Sequence, residues 1–368
     1  MTTRRQFSIA APGLLVAALA TSGCTPDSAA DGYEALAART WRLGPLSGFD
    51  SAALGRELVR CATLAPSSHN TQCWKFSIEQ ATAITILPDL ARRCPAVDPD
   101  DHHLFVSLGC AAENLAQAAL AHGLHAEASF DASRDAVQLS LAKTAAQVGP
   151  MFKAMAARQC TRGDYDAKPL SAAELNLLET AGNSSSVRML LLTERAAIER
   201  VLEQVIAANS AQMADPAFVK ELKAWIRFNG AAAVRSGDGL FSACTGNPTL
   251  PTWLGDMAFD GFFRAKSEND KYVRQIRSSA GIAVFVGHVA DKHNWVEVGR
   301  SYERFALQAT ALGIRNAFIN QAIEVAASRP QFASGLGLAG QRPDLIVRFG
   351  RGAAMPRSLR RPLAAVLV

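Results

Sequence analysis

No Cys-x-x-C pair and no Cys/His spacing of a zinc or iron–sulfur site occurs in this chain of 368 residues. Its seven cysteines stand far apart, and Cys61 and Cys110 sit in apolar helical contexts that suit buried thiols. No Gly-x-Ser-x-Gly or other nucleophile motif is present. Charge of one sign is also scarce: the formal net charge of +5 falls by two if Arg4 and Arg5 leave with a leader, and the remaining arginines are scattered rather than striped. That excludes a nucleic-acid footprint and assigns any basic cluster to a small anionic ligand. Glycine and proline are near average, which excludes fibrous and disordered classes. At 49% hydrophobic residues, the length allows a large core.

Long apolar runs are missing too. The run Ile9 to Ala20 is too short to span a bilayer. It follows the paired Arg4-Arg5, a combination that predicts a twin-arginine export signal over residues 1–24 and a periplasmic or cell-envelope destination. Thr21-Ser22-Gly23-Cys24 offers an imperfect lipid-attachment site at Cys24, and Ala18-Leu19-Ala20 offers plain cleavage instead. The twin-arginine route carries folded proteins, so the signal itself favours a bound cofactor.

Beyond the leader, an Ala/Asp-rich stretch predicts a linker over residues 25–44. Helices are expected at Ser51 to Leu64, His103 to His122 (capped by Asp100 or Asp101), Ala172 to Thr180, Glu194 to Met213, Pro216 to Phe228 and Val296 to Leu312. Gly230 is expected to stop the Pro216 helix, and Asp215 to cap it. Strands are expected at Trp74 to Glu79, Ala83 to Leu87, Ala136 to Leu141, Arg188 to Leu192, Ile282 to Val289 and Leu345 to Phe349. Gly237 to Gly255 reads as a loop with an isolated Trp253.

The two long helices align at an offset of 190 residues, with Gly109, Glu113 and Gly123 in register with Gly299, Glu303 and Gly313. A second echo, Pro66-Ser67-Ser68 against Asn183-Ser184-Ser185, is offset by 117. The halves 45–150 and 151–368 are thus read as a duplication, with an insertion in the second after Glu194. They would pack as a pseudo-dimer through the Ala-rich helices.

Three segments carry chemistry. Ala65-Pro66-Ser67-Ser68-His69-Asn70-Thr71-Gln72-Cys73-Trp74 puts hydroxyls and amides on a proline-stiffened turn that can face a planar polar ligand or a phosphate. Arg158-Gln159-Cys160-Thr161-Arg162 and Arg360-Arg361-Pro362 supply guanidinium forks suited to a dianionic phosphate. Taken singly, these runs would read as a polar turn, a solvated helix face and a basic tail. Gly335-Leu336-Gly337-Leu338-Ala339-Gly340 matches a dinucleotide fingerprint only in letters, because a strand follows it rather than precedes it. Asp100-Asp101-His102-His103 is read as an acidic helix start rather than a metal site.

Together the three segments resemble the nitroreductase family of FMN proteins. The first is similar to the family's A-P-S-S-x-N-x-Q-P-W run, with Cys73 in place of proline. The second is similar to R-x-S-x-R, with Cys160 in the serine position, and the third to the C-terminal R-R-P element. The resemblance implies an α+β fold of two fused half-units around long central helices, as in the Acg-type branch. It also implies one composite FMN site, formed by Ser67, Ser68, Asn70 and Gln72 with Arg158, Gln159, Cys160, Arg162, Arg360 and Arg361. The implied activity is two-electron reduction of nitroaromatic or quinone-like acceptors through FMN, with no dedicated catalytic acid or base. The partners are then a small-molecule acceptor, an electron donor the residues do not name, and a membrane only through Cys24. Export away from reduced nicotinamides keeps open a second reading, a flavin-binding or flavin-sequestering protein with little turnover.

Overall fold

The computed structural model describes residues 27–79 and 82–368; the twin-arginine run and Cys24 lie outside the described residues. Helix α1 (Asp27–Thr40) precedes α2 (Ser51–Ala62), the hairpin β1 (Trp74–Glu79)–β2 (Ala83–Pro88), α3 (His102–Ala121), the hairpin β3 (Leu124–Asp131)–β4 (Ala136–Lys143) and the short α4 (Pro150–Met155). Then come α5 (Ala172–Gly182) and β5 (Val187–Leu192). Next is a largely helical stretch: α6 (Arg195–Ala214), α7 (Pro216–Trp225), β6 (Ile226–Arg227), α8 (Gly230–Ser236), β7 (Leu240–Phe241), α9 (Thr252–Phe262) and α10 (Ala265–Arg277). The chain closes with β8 (Gly281–Gly287), α11 (Lys292–Ala311), β9 (Arg315–Phe318), α12 (Gln321–Glu324), α13 (Arg329–Gly335) and β10 (Leu345–Gly350).

The fold is α+β, with two antiparallel four-stranded sheets ordered β1-β2-β4-β3 and β5-β8-β10-β9. In each, two strands precede the long helix and two follow it, and the strand closing the second pair lies inside. The second sheet differs by the long segment, residues 193–280, between β5 and β8, termed the insertion for its length relative to the first sheet's β1–β2 connection.

At the centre α3 lies on α11. A Cβ on Gly109 would fall 1.9 Å from the Val296 carbonyl oxygen, and one on Gly299 would fall 1.9 Å from that of Val106. Val106 and Val296 are related by the same offset as the glycines, so the contact maps onto itself. Only glycine permits backbones this close. Among the described helices α3 alone is long and apolar enough to cross a membrane, and most of it is buried inside the protein. Its all-round apolarity is that of a core helix.

The main core gathers around α2, α3 and α11 between the sheets. A second core lies on the other face of the second sheet, under α6, α12 and α13. Strand β8 therefore feeds both: Ala283 and Phe285 point to the first, Ile282, Val284 and Val286 to the second. Burial on both faces explains its unbroken apolar run. The six described cysteines are all unpaired, and Cys61 and Cys110 are buried.

Four sequence expectations need correction. The predicted linker contains α1, and Tyr33 and Ala37 on it and Trp41 just after it, four residues apart, are buried against Phe241, Cys244 and Leu359 or the main core. Asp98 rather than Asp100 or Asp101 caps α3: its oxygens accept from the His103 and Leu104 amides at 3.1 and 3.0 Å. Asp101 is left-handed (φ 58°) and bonds Arg93, while Asp100 bonds Arg342. Gly230 opens α8 instead of stopping α7, because the Asn229 side chain caps the Ala232 amide. Within the predicted loop Gly237 to Gly255, β7 and a helical turn precede the start of α9, which carries Trp253. Strand β3, α8, α10 and the short α12 and α13 had not been anticipated.

Candidate functional site

The turn after α2 holds an uncommon backbone. His69, Asn70 and Gln72 all have positive φ (48°, 53° and 54°), a strained choice for residues with side chains. Hydrogen bonds, most of them long-range, hold them there. Asn70 Nδ2 donates to the carbonyls of Gly239 (3.0 Å) and Leu359 (3.2 Å), and Gln72 Nε2 donates to that of Gly237 (2.9 Å). Gln72 Oε1 accepts from the Arg361 amide (2.7 Å), and Ser67 Oγ accepts from the Gln72 amide (2.8 Å). The turn is thus clamped between the insertion and the C-terminal segment. The Asn70 and Gln72 side chains do the clamping, which leaves Ser67 and Ser68 on the open side.

Two joined cavities lie there. The smaller, about 70 Å³, is walled by Arg158, Arg162, Arg357 and Arg360 with Trp41 and Ser67. Asn70, Gln159 and Cys160 also line it. The larger, about 550 Å³, takes its apolar wall from Phe218, Phe228, Phe259 and Phe263 of the insertion, and Ser67 and Ser68 from the turn. Phe262, 80% exposed, stands at its mouth. Pro66, Ser67, Arg162, Leu240 and Phe318 belong to both cavities and form the neck. Small-ligand sites run to roughly 300–1,000 Å³, so the larger chamber is of ligand size.

The arginines differ in what they have left to give. Arg360 is spent: it donates to the carbonyls of Thr63, Leu64, Ala65 and Leu359 and to Asn70 Oδ1. Burial, with Arg158 beside it, lowers its guanidinium to about 9. Arg158 donates to the Leu64 carbonyl (2.6 Å) and places Nε 3.1 Å from Glu303 Oε1, near enough for ion pairing although that N–H is not aimed at the oxygen. The Trp41 ring lies against three guanidiniums: Arg360 at 4.7 Å, Arg357 at 5.5 Å and Arg158 at 5.8 Å from its centroid. Arg162, at the neck, has no side-chain hydrogen bond or ion pair with any described residue. Its guanidinium lines both cavities.

Of the ten residues singled out in the sequence, eight line the cavities and two do not. Gln72 is fully buried in the clamp, and Arg361 turns to Asp89 (3.5 Å) and the Ala365 carbonyl (2.9 Å). Gln159 lines the small cavity while its amide anchors the Met355–Pro356 backbone. Trp41, Arg357, Phe318 and the aromatic wall had gone unnoticed. The only signal for Arg357 was its place among the basic residues near Arg360.

Glu303, fully buried on α11, has its carboxyl raised to about 7, chiefly by burial; Arg158 opposes the shift and Glu113 adds to it. A carboxyl whose folded value exceeds its unfolded one stabilises the fold at low pH, and that gain fades as pH rises from about 4.5 to about 7. Asp344, also raised to about 7 by burial, acts in the same window. Glu303→Gln is therefore expected to reduce, without abolishing, the fall in stability between pH 5 and 7.5. Urea unfolding at both pH values checks this, and an unchanged slope would remove Glu303 as its source.

No protein-family model matches the chain. Two proteins from strains of Mycobacterium tuberculosis, both named "Putative NAD(P)H nitroreductase", are 24% identical to it over 332 residues, which is 87% of this chain and 92% of theirs. Among solved structures, a "putative nitroreductase" from Anabaena variabilis superposes with a TM-score of 0.49 at 10% identity, covering 86% of this chain and 91% of that one. The FMN-dependent nitroreductase NfnB from Mycobacterium smegmatis, solved with NADPH, gives a TM-score of 0.39 at 13% identity, covering 59% and 96%. The chain is thus similar along most of its length to proteins described as nitroreductases.

Proposed function

We propose that this chain holds FMN across the joined cavities and serves as a nitroreductase-type oxidoreductase for nitroaromatic or quinone-like acceptors. What carries this reading is the neck: an anion-sized cavity ringed by four arginines opens, past Ser67 and an unpaired Arg162, into an apolar chamber of ligand size. A flavin mononucleotide has that polarity, a dianionic phosphate at one end and a flat, largely apolar ring at the other. In this reading Arg162 grips the phosphate, and Ser67 and Ser68 supply hydroxyl hydrogen bonds beyond it. Arg158 and Arg360 contribute positive potential from within the wall. The phenylalanine wall keeps water from the ring and the acceptor. Bound FMN supplies reversible two-electron transfer. The mycobacterial relatives' name supports a nicotinamide donor.

The same reading takes the two sheets and the self-mapping glycine contact as a fused pseudo-dimer with one retained flavin site. Export by the twin-arginine route, with lipid attachment at Cys24 as its variant, rests on the sequence motifs alone.

Arg162→Ala should weaken FMN retention roughly tenfold to a hundredfold, the worth of one charged hydrogen bond at about 1.5–3 kcal/mol. Flavin absorbance after gel filtration measures it. Unchanged retention would take Arg162 out of the site, and wild-type protein that binds no added FMN would sink the whole reading.

One observation favours the second reading, flavin storage. The insertion walls the chamber where a donor and an acceptor would enter. Anaerobic mixing separates the two. Bleaching of the flavin by NADH or NADPH supports the reductase, and bleaching by dithionite alone supports storage.

A further inference from the structure

Away from the arginine cavity, three segments distant in sequence meet beside the larger chamber. They are the turn carrying His69, the loop carrying Cys94, and helix α7 of the insertion carrying Glu221. We propose that His69, Cys94 and Glu221 bind a borderline-soft divalent cation such as zinc, fastening the insertion to the turn.

The donor atoms of the three residues all lie within 4.8 Å of one another. His69 Nδ1 is 3.6 Å from Cys94 Sγ. Ligands at about 2.3 Å (sulfur) and about 2.0–2.1 Å (nitrogen) from one tetrahedral zinc sit about 3.6 Å apart, so two corners already have their spacing. An S–H···N hydrogen bond would also fit that distance; the third donor argues for more. Glu221 is held in place by the Ala96 amide (2.9 Å, to Oε2) and the Val97 amide (3.1 Å, to Oε1). Outer hydrogen bonds of this kind orient a ligating carboxylate.

The electrostatics point the same way. Burial, then Arg162 and His103 nearby, lowers the His69 imidazole to about 4, so it is neutral and able to ligate at ordinary pH. Burial raises the Cys94 thiol, and Glu221, Cys73, Asp98 and Glu324 add to the rise. Three of those four neighbours are carboxylates, whose negative charge favours a bound cation against the opposing charge of Arg162. A bound divalent ion reverses the thiol's preference: Cys94 gives its proton to solvent and ligates as thiolate. His69 also lines the larger chamber. The ligands stand at 69, 94 and 221, which is why no spacing motif announces them. The inference does not depend on the flavin reading, and its test works on flavin-free protein.

The test is cobalt(II) as a spectroscopic probe and zinc as competitor, on full-length protein first stripped with chelator. One equivalent of cobalt should bind, with tetrahedral d–d bands and a thiolate-to-cobalt charge-transfer band that zinc abolishes. Cys94→Ser should lose the charge-transfer band. Glu221→Gln should weaken binding by at least tenfold, and His69→Gln gives an independent loss from the turn side. Circular dichroism confirms that each variant is folded. No stoichiometric binding to wild-type protein would overturn the proposal, as would a charge-transfer band that survives in Cys94→Ser. So would binding lost in a His102→Ala variant but kept in Cys94→Ser, which would place the ion at the separate cluster of Asp98, His102 and His103.

Discussion

Gly109→Ala is expected to cost the folded chain about 3 kcal/mol, the upper end of what overpacking does. The added methyl would fall 1.9 Å from the Val296 carbonyl oxygen and 2.8 Å from its carbon. Ordinary C···O contacts begin near 3.3 Å, so α3 and α11 must separate by more than about 1 Å. A gap of that size forfeits roughly a quarter to a half of each dispersion contact along the interface. Against this stands a gain of about 1 kcal/mol from alanine's better helix propensity, and the separation wins. Gly299→Ala meets the same obstacle at Val106 and should cost as much. The double variant is the sharper test. Both methyls demand one and the same separation, so the double loss should fall well short of the sum of the single losses. Urea unfolding of the three variants measures this; strict additivity, or a single loss under about 0.5 kcal/mol, would contradict the contact.

Arg158→Ala comes next in size, and its cost should depend on pH. Removing one partner of a buried pair typically costs about 3–5 kcal/mol, because the other charge is left alone. Here Glu303 has an escape, since its carboxyl already titrates near 7. Arg158 is the cation that holds it down, so without Arg158 it titrates higher still and takes up a proton instead of remaining a bare charge. Below about pH 7 the deficit against wild type should be nearly constant, reflecting the lost bond to Leu64 and lost packing. Above that it should widen by about 1.4 kcal/mol per pH unit until the new value is reached. Adding Glu303→Gln should restore most of the high-pH part. A deficit independent of pH between 6 and 8.5 would show that the two residues are not coupled.

The elements legible in the sequence were those whose physics is local or repeats. The offset linking Gly109 to Gly299 was readable because two backbones in contact admit no other residue, and the same demand arises on both helices. The α+β class came from the resemblance carried by the three motif segments, and the helical and strand periods placed the separate elements within it. Helix α1 was missed because its signal is two residues, Tyr33 and Ala37, with Trp41 just beyond its end, in a short stretch whose alanines and aspartates resemble a tether. Asp98 was missed as the cap because Asp101 sits left-handed between it and the helix, displacing the usual N-cap spacing.

At the site, residue type could be read but not what each residue is occupied with. Gln72 and Arg361 look like ligand-binding groups, yet Gln72 is consumed by distant backbone partners and Arg361 by Asp89 and the Ala365 carbonyl. Arg162 differs from Arg158 and Arg360 only in having no such partner, a fact of the fold alone. The phenylalanine wall comes from α7, the residues after it and α9, which touch the turn only once the insertion has folded over it.

The clamp on the 65–72 turn also fixes when the cavity can exist. Asn70 is held by Gly239, Leu359 and Arg360, the last 290 positions away in sequence. Until the C-terminal segment has been made, the turn lacks Leu359, Arg360 and Arg361, so its long-range clamp stays incomplete. Contacts this distant also make assembly slow. Ligand capture is therefore a late, post-translational event, and occupancy of the pocket reports that the whole chain has been made and has folded.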